Sequence, residues 1–345
     1  MENKAITIKE IAKEAGVSTA TVSMILNNKD NNISEATRNR VLEIVKRTNY
    51  IPNTMARSLV TKQTRTIGLI LPDITNPFFP EIARGAEDRA SQSRYSIIYC
   101  NTDDNLNRED TCIDILSEKM VDGIIFAHSA DRGRVGGVKR CRVPIVLIDR
   151  DYQFPNVIGR VLVDNKKASF TGVNYLIDQG YRKIAYIAGS INTMTARDRL
   201  EGYKEALKER NIPYKDEYVR IGEYRSQWGM EAVGALLDEK IDMDAIFCGN
   251  DLIAIGAIKE LKNNGYKVPD DIGVMGFDDI YLSGIVEPAL TTIKQPVYEM
   301  GYRAADLLIN AIESPEESEN SVDEDTIILE TELIIRESTK EGAKK

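Results

Sequence analysis

The chain has 345 residues, 42% of them hydrophobic and 29% charged, which is enough apolar material for two or three packed domains and too much for a disordered chain. Its four cysteines, Cys100, Cys112, Cys141 and Cys248, form no CxxC pair, and its single histidine is His128, so a disulfide framework, a zinc site and histidine-dependent catalysis are not expected. The net charge of −9 conceals an asymmetry, because residues 1–65 carry 11 basic and 6 acidic side chains (+5) and the remainder carries 34 and 48 (−14).

The first fifty residues predict three short helices. Thr7-Ile8-Lys9-Glu10 has capping-box spacing, and Ile8, Ile11, Ala12 and Ala15 share one apolar face that ends at Gly16. Ser18 can cap a second helix, Thr19 to Leu26, with Val22, Ile25 and Leu26 inward. After the polar loop Asn27–Asn32, Ser34 starts a third helix with Val41, Leu42 and Val45 inside and Arg38, Arg40, Lys46 and Arg47 outside. Asn53–Val60 is a helix-capable piece too short to be stable alone, and Thr61–Arg65 reads as a linker.

From Thr66 onward apolar β-rich runs alternate with amphipathic helices. The strands are expected at Ile67–Leu71, Ser96–Cys100, Gly123–Ala127 and Ile145–Asp149, then at Ile184–Ala188, Val219–Gly222, Ala245–Cys248, Ile272–Phe277 and Leu290–Gln295, with a last one near Ile327–Ile335. Two successive series of this kind mean two parallel sheets, each covered on both faces. Ser314–Asp325 reads as a solvated acidic loop, and the last six residues as a frayed tail.

Two helices joined by the tight turn Ala15-Gly16-Val17-Ser18 form a helix-turn-helix, whose second helix enters the DNA major groove. Its outward residues are Ser18, Thr19, Ala20, Ser23 and Met24: the hydroxyls can hydrogen-bond bases or phosphates, and Ala20 and Met24 offer apolar contact. Thr7, Asn27 and Arg38 are better placed for phosphates. The run Thr7 to Asn27, then Arg38 to Tyr50 and Pro52, Ala56, Arg57, Ser58 and Leu59, resembles the headpiece and hinge of the LacI/GalR family of bacterial transcription regulators. That resemblance covers essentially the whole chain. It implies an all-α headpiece (1–50) and a hinge helix with linker (51–65), followed by an α/β body of two doubly wound parallel-sheet lobes of the periplasmic-binding-protein type. The lobes would be 66–164 with 296–322, and 165–295 with 323–345. It also implies that the hinge, with Asn53, Arg57 and Leu59, folds on DNA and that Leu59 wedges between base steps in the minor groove. Met24 stands where many members carry a basic or polar residue.

Between two such lobes a ligand binds at the carboxyl ends of the strands. Residues just past the predicted strands are Asp73 with Asn76-Pro77-Phe78-Phe79, Asp103–Asn105, Asp149-Arg150, Arg197, Tyr224, Asn250-Asp251, Asp278-Asp279 and Gln295. Carboxylates, amides and guanidinium groups mixed with aromatics suit a sugar, whose hydroxyls need two-way partners and whose C–H faces pack on rings. Asp251 and Asp279 read instead as helix-capping or packing residues. The set is similar to that of the periplasmic ribose- and galactose-binding proteins. This resemblance implies Phe78 and Phe79 stacking on the sugar and Asp149, Arg150, Arg197, Asn250, Asp278 and Gln295 on its hydroxyls, with Tyr224 or Trp228 as an aromatic wall.

The expectation is a repressor of sugar-use genes that binds a monosaccharide, ribose leading. A catabolite-control regulator taking a phosphorylated carrier protein (HPr) as corepressor is the alternative, resting on Pro72–Ile74 and Ala83–Asp88, and a purine- or phosphosugar-responsive member is another. An enzyme using Asp149, Asp278 and Glu223 is disfavoured because no phosphate loop, nucleophile elbow or metal cluster accompanies them. No cofactor is expected. With no apolar stretch behind Met1-Glu2-Asn3-Lys4 and no run of the roughly 18 apolar residues a bilayer requires, neither a secretory signal nor a membrane partner is expected, and the cytoplasm is the expected compartment. A homodimer on palindromic operator DNA is expected, and the stretch after Ile335 has no heptads for a helical tetramerisation tail.

Overall fold

A computed structural model describes residues 6–50, 63–128, 141–152, 156–314 and 325–340. The chain divides into two compact units, 1–64 and 65–345. The predicted hinge positions Asn53, Arg57 and Leu59 lie outside the described residues, as do most of the acidic loop and the predicted tail.

In the first unit, α1 (Ile8–Ala15) opens on a complete capping box: Glu10 N–H donates to Thr7 Oγ1, and Thr7 N–H donates to Glu10 Oε2 at 2.7 Å. Gly16, with φ +64°, closes it in the left-handed conformation. Ser18 caps α2 (Thr19–Leu26) by accepting from Thr21 N–H at 3.0 Å, and Ser34 caps α3 (Glu35–Thr48). The three pack on Ile11, Ala12, Ala15, Val22, Ile25, Val41 and Ile44. In α3 the inward pair is Val41 and Ile44, while Leu42, expected inside, is exposed. A step of three keeps Ile44 on the stripe of Val41, and a step of one turns Leu42 away from it.

The second unit contains two six-stranded sheets. The first joins β1 (Thr66–Leu71), β2 (Ser96–Asn101), β3 (Gly123–Phe126), β4 (Ile145–Ile148), β5 (Val157–Val163) and β11 (Asp325–Leu329) in the order β11-β5-β4-β3-β1-β2, every pair parallel. The second joins β6 (Ile184–Ala188), β7 (Val219–Ile221), β8 (Ala245–Cys248), β9 (Gly273–Asp278), β10 (Thr291–Lys294) and β12 (Glu332–Ile334) in the order β12-β10-β9-β8-β6-β7, with only β12 antiparallel.

The inner strands β1, β3, β4, β6, β8 and β9 are buried on both faces, which is why they read as near-continuous apolar runs, whereas the edge strands β2, β7, β11 and β12 are partly exposed. The first sheet packs one face on α4 (Phe78–Gln92) and α10 (Val297–Glu313), through Leu69, Ile82, Ala86, Met300 and Leu308, and the other on α5 (Leu106–Glu118), through Ile113 and Leu116. The second lies between the pair α6 (Asn165–Asp178) and α7 (Met194–Glu209) and the pair α8 (Ser226–Asp238) and α9 (Asp251–Asn263).

The chain passes between sheets three times, after β5, after β10 and between β11 and β12. The first pass follows Val163 and the second follows Lys294. The third differs from the expectation: the expected single strand near 327–335 is two strands, with Asp325–Leu329 beside β5 in the first sheet and Glu332–Ile334 beside β10 in the second. Glu330 and Thr331 turn the chain between them, so the segment assigned from 323 to the second lobe begins in the first.

Candidate functional site

Strand ends of both sheets converge on a cleft enclosing a cavity of about 300 Å³. From the first sheet come Asp73 after β1, Asp103 and Asp104 after β2, and Asp149 with Arg150 after β4, together with Asn76, Phe78 and Phe79 at the start of α4. The second contributes Ser190, Asn192, Thr193 and Thr195 after β6, Glu223, Tyr224 and Arg225 after β7, Asn250 after β8, Asp278 at the end of β9, and Arg199 from α7.

Two buried ion pairs anchor the walls. On one, the Arg150 guanidinium lies 3.5 Å from the Asp149 carboxylate and donates at 3.0 Å both to Asp104 Oδ1 and to the His128 carbonyl. On the other, Arg199 stacks 3.7 Å from the centre of the Phe277 ring and donates to Asn165 Oδ1 at 2.7 Å and to the Gly249 carbonyl at 2.6 Å, with Nη1 3.6 Å from Asp278 Oδ1. Burial pushes the Asp149 carboxyl up from its usual range, against the pull of Arg150 and Arg199. Asp278 is raised further for the same reason, although Arg199 and a 2.8 Å hydrogen bond from Gln295 Nε2 oppose it. Burial works against the charge of Arg150, but Asp104 and Asp149 outweigh it and hold the guanidinium above its ordinary value. Asp149 (φ +66°) and Asp278 (φ +115°) both have backbones that ordinary side chains avoid, and such strain collects where a site is held in shape.

The remaining cleft residues give the site its shape. Phe78 and Phe79 meet edge to face at 5.1 Å and form an aromatic floor. The Tyr224 ring lies flat on Gly189, where an added Cβ would stand 2.3 Å from it, and Trp228 Nε1–H donates to the Ala188 carbonyl at 3.0 Å. Asn250 is almost fully buried: its Oδ1 caps α9 by accepting from Ile253 N–H at 2.9 Å, while its Nδ2 has no hydrogen-bond partner, which leaves donors for a ligand.

Most of the effector residues expected from sequence therefore lie together: Asp73, Phe78, Phe79, Asp149, Arg150, Tyr224, Asn250 and Asp278 line the cavity, and Gln295 stands behind Asp278. Arg197 does not. It is exposed and donates to the Ile191 carbonyl at 3.0 Å, and Arg199 occupies the cleft in its place. Helix phase decides this, because Thr195, Ala196, Arg199, Gly202, Tyr203 and Ala206 share the buried stripe of α7, and that periodicity was available in the sequence. Asp251, expected to cap or pack, is the first residue inside α9; its buried carboxylate accepts from Ile280 N–H, Ser283 Oγ and Thr292 Oγ1 at 2.5–2.9 Å, and burial raises it to about 7. Asp279, read likewise, pairs with Arg336 at 2.7 Å.

In the first unit Ser18, Thr19, Ala20 and Met24 lie on exposed surface of α2 and its cap, with Ser23 half-buried. The hydroxyls of Thr7 and Ser18 are engaged in capping, Asn27 Nδ2 donates to the Ser23 carbonyl at 2.7 Å, and Arg38 pairs with Asp30 at 3.1 Å. Thr19, Ala20 and Met24 are thus the side chains of that helix directed outward.

A helical reader module with a two-sheet body clasping a polar cleft defines a ligand-controlled DNA-binding protein. Residues 7–53 match the model of the bacterial regulatory proteins of the lacI family, and residues 64–336 match that of the periplasmic binding proteins and sugar binding domain of the LacI family. The chain belongs to the LacI family and is a DNA-binding transcriptional regulator; its relatives are regulators, not enzymes. It is 42% identical to the transcriptional regulator RegA of Clostridium acetobutylicum over 90% of this chain and 94% of that one. It is 38% identical to catabolite control protein A of Priestia megaterium (97% and 99%) and 37% identical to the ribose operon repressor of Halalkalibacterium halodurans (97% and 98%). The lac repressor dimer bound to operator matches with a TM-score of 0.86 at 27% identity, over 97% of this chain and 99% of that one. Among the described residues no helix is long and apolar enough to cross a membrane.

Proposed function

We propose that this regulator is a repressor of sugar-use genes that acts as a homodimer on a palindromic operator in the cytoplasm, and that a monosaccharide held in the cleft controls its grip on DNA, with ribose the leading candidate. The observation that carries this reading is the pair of buried acid–guanidinium sets, Asp149 with Arg150 and Asp278 with Arg199, one from each sheet, with the unpartnered Asn250 amide beside them. A sugar hydroxyl is both donor and acceptor, so it can donate to a carboxylate and accept from a guanidinium at once, while Phe78 and Phe79 meet its C–H face. The effector-binding set is then Asp73, Phe78, Phe79, Asp149, Arg150, Arg199, Tyr224, Asn250 and Asp278, with Gln295 holding Asp278. Thr19, Ala20, Ser23 and Met24 read base edges, Thr7, Ser18, Asn27 and Arg38 lie along the phosphates, and Asn53, Arg57 and Leu59 form the hinge.

Control follows by linkage. A sugar that bridges the two walls binds the closed cleft more tightly than the open one, so it shifts the body toward closure and changes operator affinity by its preference between the two states. Titration calorimetry against pentoses and hexoses, paired with operator binding at fixed salt, tests this. Silence across the panel together with binding of a purine sinks the sugar reading. The likeness to catabolite control protein A keeps a phosphorylated carrier protein as the second reading, and a pull-down with serine-phosphorylated HPr separates the two.

A further inference from the structure

We propose that the cleft accepts uncharged polyols and turns away their phosphate esters, and that Asp104 is the residue that sets this preference. The proposal rests on the sugar reading above and specifies the chemical class of the sugar.

Six carboxyl groups line the cavity, on Asp73, Asp103, Asp104, Asp149, Glu223 and Asp278, against three guanidinium groups, on Arg150, Arg199 and Arg225. Each of the three cations already faces a carboxylate: Arg150 faces Asp149 and Asp104, Arg199 faces Asp278, and Arg225 lies 3.5 Å from Glu223. A phosphate monoester brings about −1.5 to −2 charges at neutral pH and needs guanidinium or ammonium groups of its own. None lining this cavity lacks an acidic partner, and a buried charge without a counter-charge is strongly disfavoured.

The other common way to hold a phosphate is the row of N–H groups at a helix N-terminus. Four helices begin at cavity-lining residues: α8, which follows Arg225, has no side-chain cap and has the Glu223 carboxylate 3.5 Å from Arg225 at its start, and side chains already engage the other three. Asn76 Oδ1 accepts from Phe78 N–H at 3.2 Å, Thr193 Oγ1 from Ala196 N–H at 3.3 Å, and Asn250 Oδ1 from Ile253 N–H at 2.9 Å.

Asp104 is the group on which the balance turns. Arg150 is buried, and Asp104, half-exposed at the mouth, is the carboxylate that accepts its Nη1–H at 3.0 Å. The turn that presents it is unusual: Asp103 and Asp104 are consecutive non-glycine residues with φ of +51° and +52°, held by hydrogen bonds to Asp103 from Asn101 Nδ2 and Arg108 Nη1. A site built to take an anion would leave Arg150 free toward the cavity, whereas this turn supplies it with a counter-charge. Specificity here is a difference between two affinities, produced by a group that repels the wrong ligand.

The test is calorimetry on the full chain with matched pairs, each pentose and hexose of the panel beside its phosphate monoester. The sugar that binds should lose at least a hundredfold in affinity on phosphorylation. Asp104→Asn keeps an oxygen for Arg150 and removes the charge, so the sugar-to-ester ratio should narrow roughly tenfold. Asp242→Asn, which makes the same change of net charge near the start of β8, should leave that ratio alone. An ester that binds as tightly as its sugar overturns the exclusion while the sugar reading stands. A ratio unmoved by Asp104→Asn overturns the role of Asp104. Silence from every sugar and every ester overturns the sugar reading and the preference that rests on it.

Discussion

Arg199 and Asp278 depend on each other. Removing the guanidinium leaves a buried carboxylate unpaired, so Arg199→Ala should cost ~3 kcal/mol or more of stability and abolish sugar binding, read by urea unfolding and calorimetry. Arg197→Ala, two residues away and exposed, should do neither, and a loss of sugar affinity there would sink the assignment of the cleft arginine. The choice between them was open to a reader of the sequence who followed the helix phase; the motif alone favours the wrong one. Asp251 makes the pH prediction. Burial raises its carboxyl from 3.8 to about 7, so the folded chain holds this proton more tightly than the unfolded chain. Unfolding therefore releases a proton between about pH 4 and pH 7, and this contribution to stability declines as pH rises through that window and levels off above it. Asp149 and Asp278 act in the same direction. Unfolding midpoints of Asp251→Asn should fall less steeply over that range than those of the parent; an unchanged slope would show that the group stays ionised.

At the level of elements, two glycines allow α4 and α10 to touch. A Cβ on Gly85 would stand 2.0 Å from the Tyr298 carbonyl, and one on Gly301 would stand 2.0 Å from that of Ile82. Gly85→Ala must force these helices apart and should cost ~1–3 kcal/mol, measured by denaturant unfolding. A wild-type midpoint would mean the helices can separate without cost. Nine strands announced themselves as short apolar runs between turn residues; the inner ones are buried on both faces and so have to be apolar throughout, while β2 and β7 at the edges are partly exposed. β5 and α6 gave no such signal. β5 carries Gly159 and Arg160 at its centre, and Arg160, although buried, is satisfied by Asp151 at 2.5 Å. The buried face of α6 includes Ala168, Ser169 and Gly172, small residues that contrast little with its outer face. The division of the last strand between two sheets was equally hidden, since periodicity reports that a segment is extended and not which partner it finds.

For the molecule as a whole, the two binding events should separate in salt. Operator binding displaces counterions from phosphates, so raising salt from about 50 to 200 mM should weaken it by roughly a thousandfold, as followed by fluorescence anisotropy. An uncharged sugar displaces none, and its affinity should change by less than about threefold over the same range. An operator affinity indifferent to salt would contradict the reader module. The three passages between sheets also bear on how the protein is made. The first sheet needs β11 and the cover of α10, both of which leave the ribosome after most of the second sheet. The nascent first sheet therefore waits with the α10-facing side of α4 unclothed, and neither sheet can be completed during translation until β11 and β12 have emerged.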